Sequence, residues 1–182
     1  MKQIQSYLVA VLLIAVMATC KKTDSLDAEL AKLPPITQTG AKTFGCLVNG
    51  KAVTPNSSCI NCPPPLIADF DFTNNGGFGI ICYYDNGKRS VILGLDSILT
   101  YRNYVIKDST NKNTRVSITN LNDTSICRRI GTFYPFEAIE GKAQLTRVDV
   151  PNGIFSGTFE FTIKTKNCGN YEVTNGRFDY KF

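Results

Sequence analysis

Five Asn-Gly dipeptides constrain this chain more than any other feature: Asn49-Gly50, Asn75-Gly76, Asn86-Gly87, Asn152-Gly153 and Asn175-Gly176. Asn and Gly tolerate the positive φ that two-residue hairpin turns demand, so each dipeptide reads as a reversal between antiparallel strands. The flanking residues alternate as strands do. In 154–164, Phe155, Gly157, Phe159, Phe161 and Ile163 share one face, and Ser156, Thr158, Glu160, Thr162 and Lys164 share the other. Leu66, Ala68, Phe70 and Phe72 alternate with Ile67, Asp69 and Asp71, and Arg177, Asp179 and Lys181 with Phe178, Tyr180 and Phe182. The pattern predicts strands near 43–48, 51–54, 66–72, 78–84, 88–95, 102–107, 114–119, 130–135, 141–149, 154–164 and 171–181. No comparably long helical pattern occurs among them. The expected fold is all-β: a single antiparallel β-sandwich or partly closed β-barrel.

Composition removes several chemistries. The chain has no His and no Trp. Ser-His-Asp and Cys-His nucleophiles and imidazole-ligated metals are therefore excluded, and carboxylate pairs are the acid–base option that remains. The formal net charge of +5 is mild, and the basic pairs Lys88-Arg89 and Arg128-Arg129 are too sparse for a nucleic-acid surface.

The first residues read as a targeting segment. Lys2 precedes an apolar run of 11 residues, Leu8 to Ala18, too short to span a bilayer but suited to a signal peptide. Met17-Ala18-Thr19-Cys20 resembles a bacterial lipobox with Cys20 as the lipidated residue, departing from it at Thr19, where Gly, Ala or Ser is usual. Ordinary cleavage after Ala18 is the alternative. Lipidation gives membrane attachment without a spanning helix, and Lys21-Lys22 suits anionic head groups. Residues 24–33 have the pattern of a short helix stopped by Pro34-Pro35. Residues 36–40 hold too little apolar content to pack. The expected organisation is a lipoprotein signal peptide at 1–19, the lipidated cysteine and a flexible tether at 20–42, and an all-β domain at 43–182.

With Cys20 assigned to lipid, Cys46, Cys59, Cys62, Cys82, Cys127 and Cys168 remain as disulfide candidates. An even count in an exported protein reads as bridges, with the connectivity open. Cys59-Ile60-Asn61-Cys62 has the spacing of a redox or half-zinc motif. However, Pro63-Pro64-Pro65 prevents the helix that activates redox pairs, and no second pair completes a zinc site. Neither a metal nor a cofactor is expected.

Two stretches carry a resemblance. Thr43-Phe44-Gly45-Cys46-Leu47-Val48-Asn49-Gly50-Lys51 resembles the opening of a family of uncharacterised Bacteroidota lipoproteins. Phe155-Ser156-Gly157-Thr158-Phe159-Glu160-Phe161, followed by Thr174-Asn175-Gly176-Arg177-Phe178-Asp179, is similar to its closing hairpin. The resemblance implies a compartment, the outer membrane on its periplasmic or surface face, and no chemistry. Asp24-Ser25-Leu26, Asp96-Ser97-Ile98 and Asp108-Ser109-Thr110 look like the O-glycosylation triplets of exported Bacteroidota proteins. Read from the residues alone, Gly157 suits a bulge or a close backbone approach, and Arg177 and Asp179 suit pairing with Glu160 or Glu172 across the hairpin.

Candidate chemistry is sparse. Asp69 with Asp71 and Glu137 with Glu140 are carboxylate pairs, but an i, i+2 spacing on a strand meets glycosidase distances trivially. Asp69, Asp71, Asn74 and Asn75 lack the calcium-loop pattern. Tyr83, Tyr84, Tyr101 and Tyr104 are candidates for a ligand-facing surface. No residue is assigned as catalytic. The expected function is a lipid-anchored envelope protein acting as a binding or interaction module for a glycan or protein ligand. The alternatives are a carboxylate-based envelope glycan hydrolase and a purely structural envelope component.

Overall fold

The computed structural model describes residues 25–58, 61–73, 75–107, 113–132, 134 and 136–182. The expectations placed on the signal peptide, Cys20, Cys59, Asn74 and 108–110 lie outside the described residues. Residues 25–30 are helical and belong to a unit that ends at Lys32; the second unit, Leu33–Phe182, holds all the strands.

That unit contains β1 (Thr43–Val48), β2 (Lys51–Val53), β3 (Leu66–Asp71), β4 (Gly77–Tyr84), β5 (Arg89–Asp96), β6 (Asn103–Ile106), β7 (Thr114–Asn120), β8 (Arg129–Gly131), β9 (Ala138–Asp149), β10 (Ile154–Lys164) and β11 (Tyr171–Lys181). They form two antiparallel sheets, A in the order β2-β1-β11-β10-β9-β6 and B in the order β3-β4-β5-β7-β8. The sheets stay open, and the fold is a sandwich. A short 3-10 turn, Ile126–Arg128, precedes β8, and the expected strand at 130–135 is reduced to 129–131.

The inner faces supply the core. Phe78 of sheet B stacks on Phe178 at 5.1 Å and Phe155 at 5.6 Å, both from sheet A. Ile80, Leu93, Leu95, Val116 and Ile130 of sheet B are fully buried among Phe44, Phe159, Phe161 and Ile163 of sheet A.

Four of the five dipeptides sit at reversals. Asn49 and Gly50 take φ of 49° and 74° and form the two-residue turn between β1 and β2. Asn175-Gly176 does not reverse the chain. It lies inside β11, where the pairings to both β1 and β10 shift register, so its positive φ at Asn175 (52°) serves a bulge.

The tether expectation is corrected from Leu33 onward. Leu33 is buried, and the polar stretch after it docks by hydrogen bonds where it lacks apolar area. The Asp179 carboxylate accepts from Thr37 Oγ1 (2.6 Å), Gly40 N (2.8 Å), Thr39 N (2.9 Å) and Ala41 N (3.1 Å), as well as from Ser156 Oγ (2.7 Å). Across the hairpin Asp179 therefore bonds to Ser156, its paired residue on β10, and not to Glu160 or Glu172. Arg177 donates to the carbonyls of Pro34 and Asn175, so the expected pairing with Glu160 or Glu172 does not form.

Among the cysteines, Cys127 and Cys168 are bridged, tying the turn before β8 to the β10–β11 connection. Cys62 is also disulfide-bonded. Cys46 and Cys82, expected in bridges, are free thiols in this structure. Each faces the core from a different sheet and fills it as a small apolar side chain.

Candidate functional site

The outward side chains of sheet A are fixed by the inward ones. Because Tyr104, Ala143, Phe159 and Gly176 lie opposite one another across β6, β9, β10 and β11 and face the core, the residues flanking them must face out. One outward row reads Asn103, Gln144, Thr158, Arg177 in successive pairings. The next reads Val105, Lys142, Glu160, and meets the bulge of β11 at Thr174 and Asn175.

These rows line a groove of about 770 Å³, walled on one side by Ile36 from the docked segment before β1. Arg177 holds that wall through its bond to the Pro34 carbonyl. Four strands at about 4.8 Å spacing carry each row over roughly 14 Å. The groove offers amide and hydroxyl groups, with the exposed apolar side chains of Ile36 and Val105 at its margins. Its one carboxylate, Glu160, pairs with Lys142 at 3.2 Å. Arg177 bonds only to carbonyls, so its charge is not neutralised by a carboxylate among the described residues.

Sequence reasoning did not single out this groove. It set Thr158 and Glu160 on the face of β10 opposite Phe159 and Phe161, but the row that joins them to Asn103, Gln144 and Arg177 depends on register, and Ile36 sits in a stretch expected not to pack. Hydroxyl and amide residues at outward positions of neighbouring strands were the available signal.

The residues that were singled out do not converge. Asp69 and Asp71 lie on the outer edge strand β3, and Asp71 accepts from Thr73 N (2.9 Å) and Thr73 Oγ1 (2.6 Å); those bonds hold its carboxyl below the ordinary range. Glu137 precedes β9, and Glu140 pairs with Lys164 at 3.3 Å. Among the described residues, no three His, Cys, Asp or Glu side chains form a group able to hold a metal ion. The tyrosines scatter. Tyr104 is buried, Tyr84 packs against the core, Tyr83 lies on the opposite face of β4, and Tyr101 is exposed in a loop.

A depression beside the groove collects Glu140, Glu160 and Glu172 around Thr162. The Glu140 and Glu160 side chains are 68% and 50% exposed, each against a lysine. A general acid needs a carboxyl withdrawn from water, and these are solvated. Arg128 sits in the 3-10 turn, and Arg129 lies over the Tyr134 ring at 5.8 Å, so the basic pairs build no continuous stripe. Comparison with known protein families, curated proteins and solved structures finds no match to this chain.

Proposed function

We propose that this protein is a lipid-anchored component of the bacterial outer membrane, related to the Bacteroidota lipoproteins it resembles, whose sandwich binds an extended polar ligand. The observation that carries the binding reading is the row Asn103, Gln144, Thr158, Arg177 along an open groove on sheet A. A sugar or peptide chain about three to four units long matches its span, and such ligands meet amides and hydroxyls with their own donors and acceptors. The anchoring reading is supported by the apolar run before Cys20 and by Lys21-Lys22.

The full chain in mild detergent, titrated with oligosaccharides and short peptides, tests the binding. Gln144→Ala combined with Thr158→Val is expected to weaken binding at least tenfold while leaving the melting temperature within a few degrees. Failure of both ligand classes to bind, or binding indifferent to the double variant, overturns it. For the anchor, the native N-terminal peptide is expected to carry acyl and diacylglyceryl mass on Cys20, and Cys20→Ser to release the protein from membranes. An unmodified N-terminus at Thr19 means ordinary cleavage instead.

A further inference from the structure

Two core thiols, one from each sheet, have no part in the groove. At one end of the sandwich Tyr84 of β4 shares a crevice of about 330 Å³ with Val48 of β1 and Val53 of β2. Strand side chains repeat every two residues on a face, so one step inward from Val48 is Cys46 and one step inward from Tyr84 is Cys82. The two strands thus present their cysteines to each other across the core, and both are fully buried in the same cluster. Their cross-strand partners are Val53 for Cys46, and Leu66 and Val91 for Cys82. No aromatic ring is a cross-strand partner of either cysteine, whereas the layers around Phe78 hold Phe155 and Phe178. Small facing side chains let two sheets approach more closely than the usual spacing of about 10 Å, as a disulfide's Cα separation of about 4.4–6.8 Å requires.

We propose that Cys46 and Cys82 form an inter-sheet disulfide when the chain folds in the presence of an external disulfide oxidant. The thiolate of one cysteine attacks the oxidant, releasing one external thiol and leaving a mixed disulfide. The thiolate of the other then displaces the second external thiol. Two electrons and two protons pass from the cysteine pair to the oxidant, and one S–S bond replaces another. The order of events matters. In the folded dithiol, burial pushes the Cys46 thiol up to about 12, and burial together with the neighbouring Cys46 pushes Cys82 higher still. Such thiols do not furnish the attacking thiolate, so the bond forms before the core closes and the folded dithiol stays inert.

The proposal draws on the export reading only for its oxidant, and the test supplies one directly. Full-length chain, unfolded and reduced, is refolded in detergent with oxidised and reduced glutathione, or with reductant alone. Each sample is then denatured, alkylated with a maleimide and mapped by peptide mass. With glutathione, a linked peptide pair containing Cys46 and Cys82 is expected, together with a higher urea midpoint. With reductant alone, both cysteines are alkylated and no linked pair is found. Alkylation of both in the glutathione sample while Cys127 and Cys168 are linked overturns the proposal, as does linkage of either to a different cysteine. Protein taken directly from cells and acid-quenched gives the second comparison. A pair linked in vitro but reduced in cells overturns the export reading and leaves the pairing standing.

Discussion

Asp179 is buried to 1% exposure and collects hydrogen bonds from both the hydroxyls and the backbone of the segment before β1. Burial pushes its carboxyl up, but the bonds from Thr37, Ser156, Ala41 and Gly40 outweigh it and hold the group well below the ordinary carboxylate range. The folded state therefore binds the proton more weakly than the unfolded chain does. Its contribution is complete above the unfolded value of about 3.9 and is lost as pH falls below it toward the depressed folded value. Asp179→Asn keeps the shape but turns an amide N–H₂ toward donors. It is expected to cost about 2–4 kcal/mol at pH 7 by urea denaturation, with the gap to the parent narrowing below pH 4. Equal stability of the two proteins at pH 7 rules out the keystone role. Alternation correctly set Asp179 opposite Phe178 and Tyr180. What the sequence could not reveal is that a stretch 138 to 142 residues earlier would cover that outward face.

At the scale of elements, all eleven expected strands exist, because alternation and turn chemistry are local properties that act on neighbouring residues. The departures come where one strand meets another. In β11 the inward residues Val173 and Gly176 are three apart, a phase change that the Asn175-Gly176 bulge absorbs. A dipeptide that favours positive φ signals both a turn and a bulge, and only pairing separates the two. Gly157 in β10 sits at another register shift, opposite β9, and a Cβ there would lie 2.5 Å from the Gln144 carbonyl oxygen and 2.8 Å from the Phe178 ring. Gly157→Ala is thus expected to destabilise the domain by about 1–3 kcal/mol through overpacking. Hydrogen exchange localises the effect: faster exchange confined to β9, β10 and β11 supports the close approach, whereas an unchanged urea midpoint refutes it.

For the whole molecule, the groove and the Cys127–Cys168 bridge occupy different parts of the sandwich. The site is built on β6, β9, β10 and β11 of sheet A with Ile36 at its wall, and its rows follow from register rather than from any motif. The spacing of residues 103, 144, 158 and 177 carries no periodicity along the chain, which is why the sequence pointed instead to carboxylates and tyrosines that lie close together along it. The Cys127–Cys168 bridge acts elsewhere. It joins the turn ahead of β8, in sheet B, to the β10–β11 connection of sheet A, at a sequence separation of 41. Closing a loop of that length removes unfolded-state entropy worth about 4 kcal/mol in the chain-entropy model, with about 2–4 kcal/mol typical in practice. Replacing both cysteines by serine is expected to lower the unfolding free energy by that amount. The ligand affinity of the folded protein should stay within about twofold, since neither cysteine lines the groove and distant sites act nearly independently. Measuring both quantities on one variant separates the two roles: a lost affinity alongside an unchanged urea midpoint contradicts the division of labour between the bridge and the site.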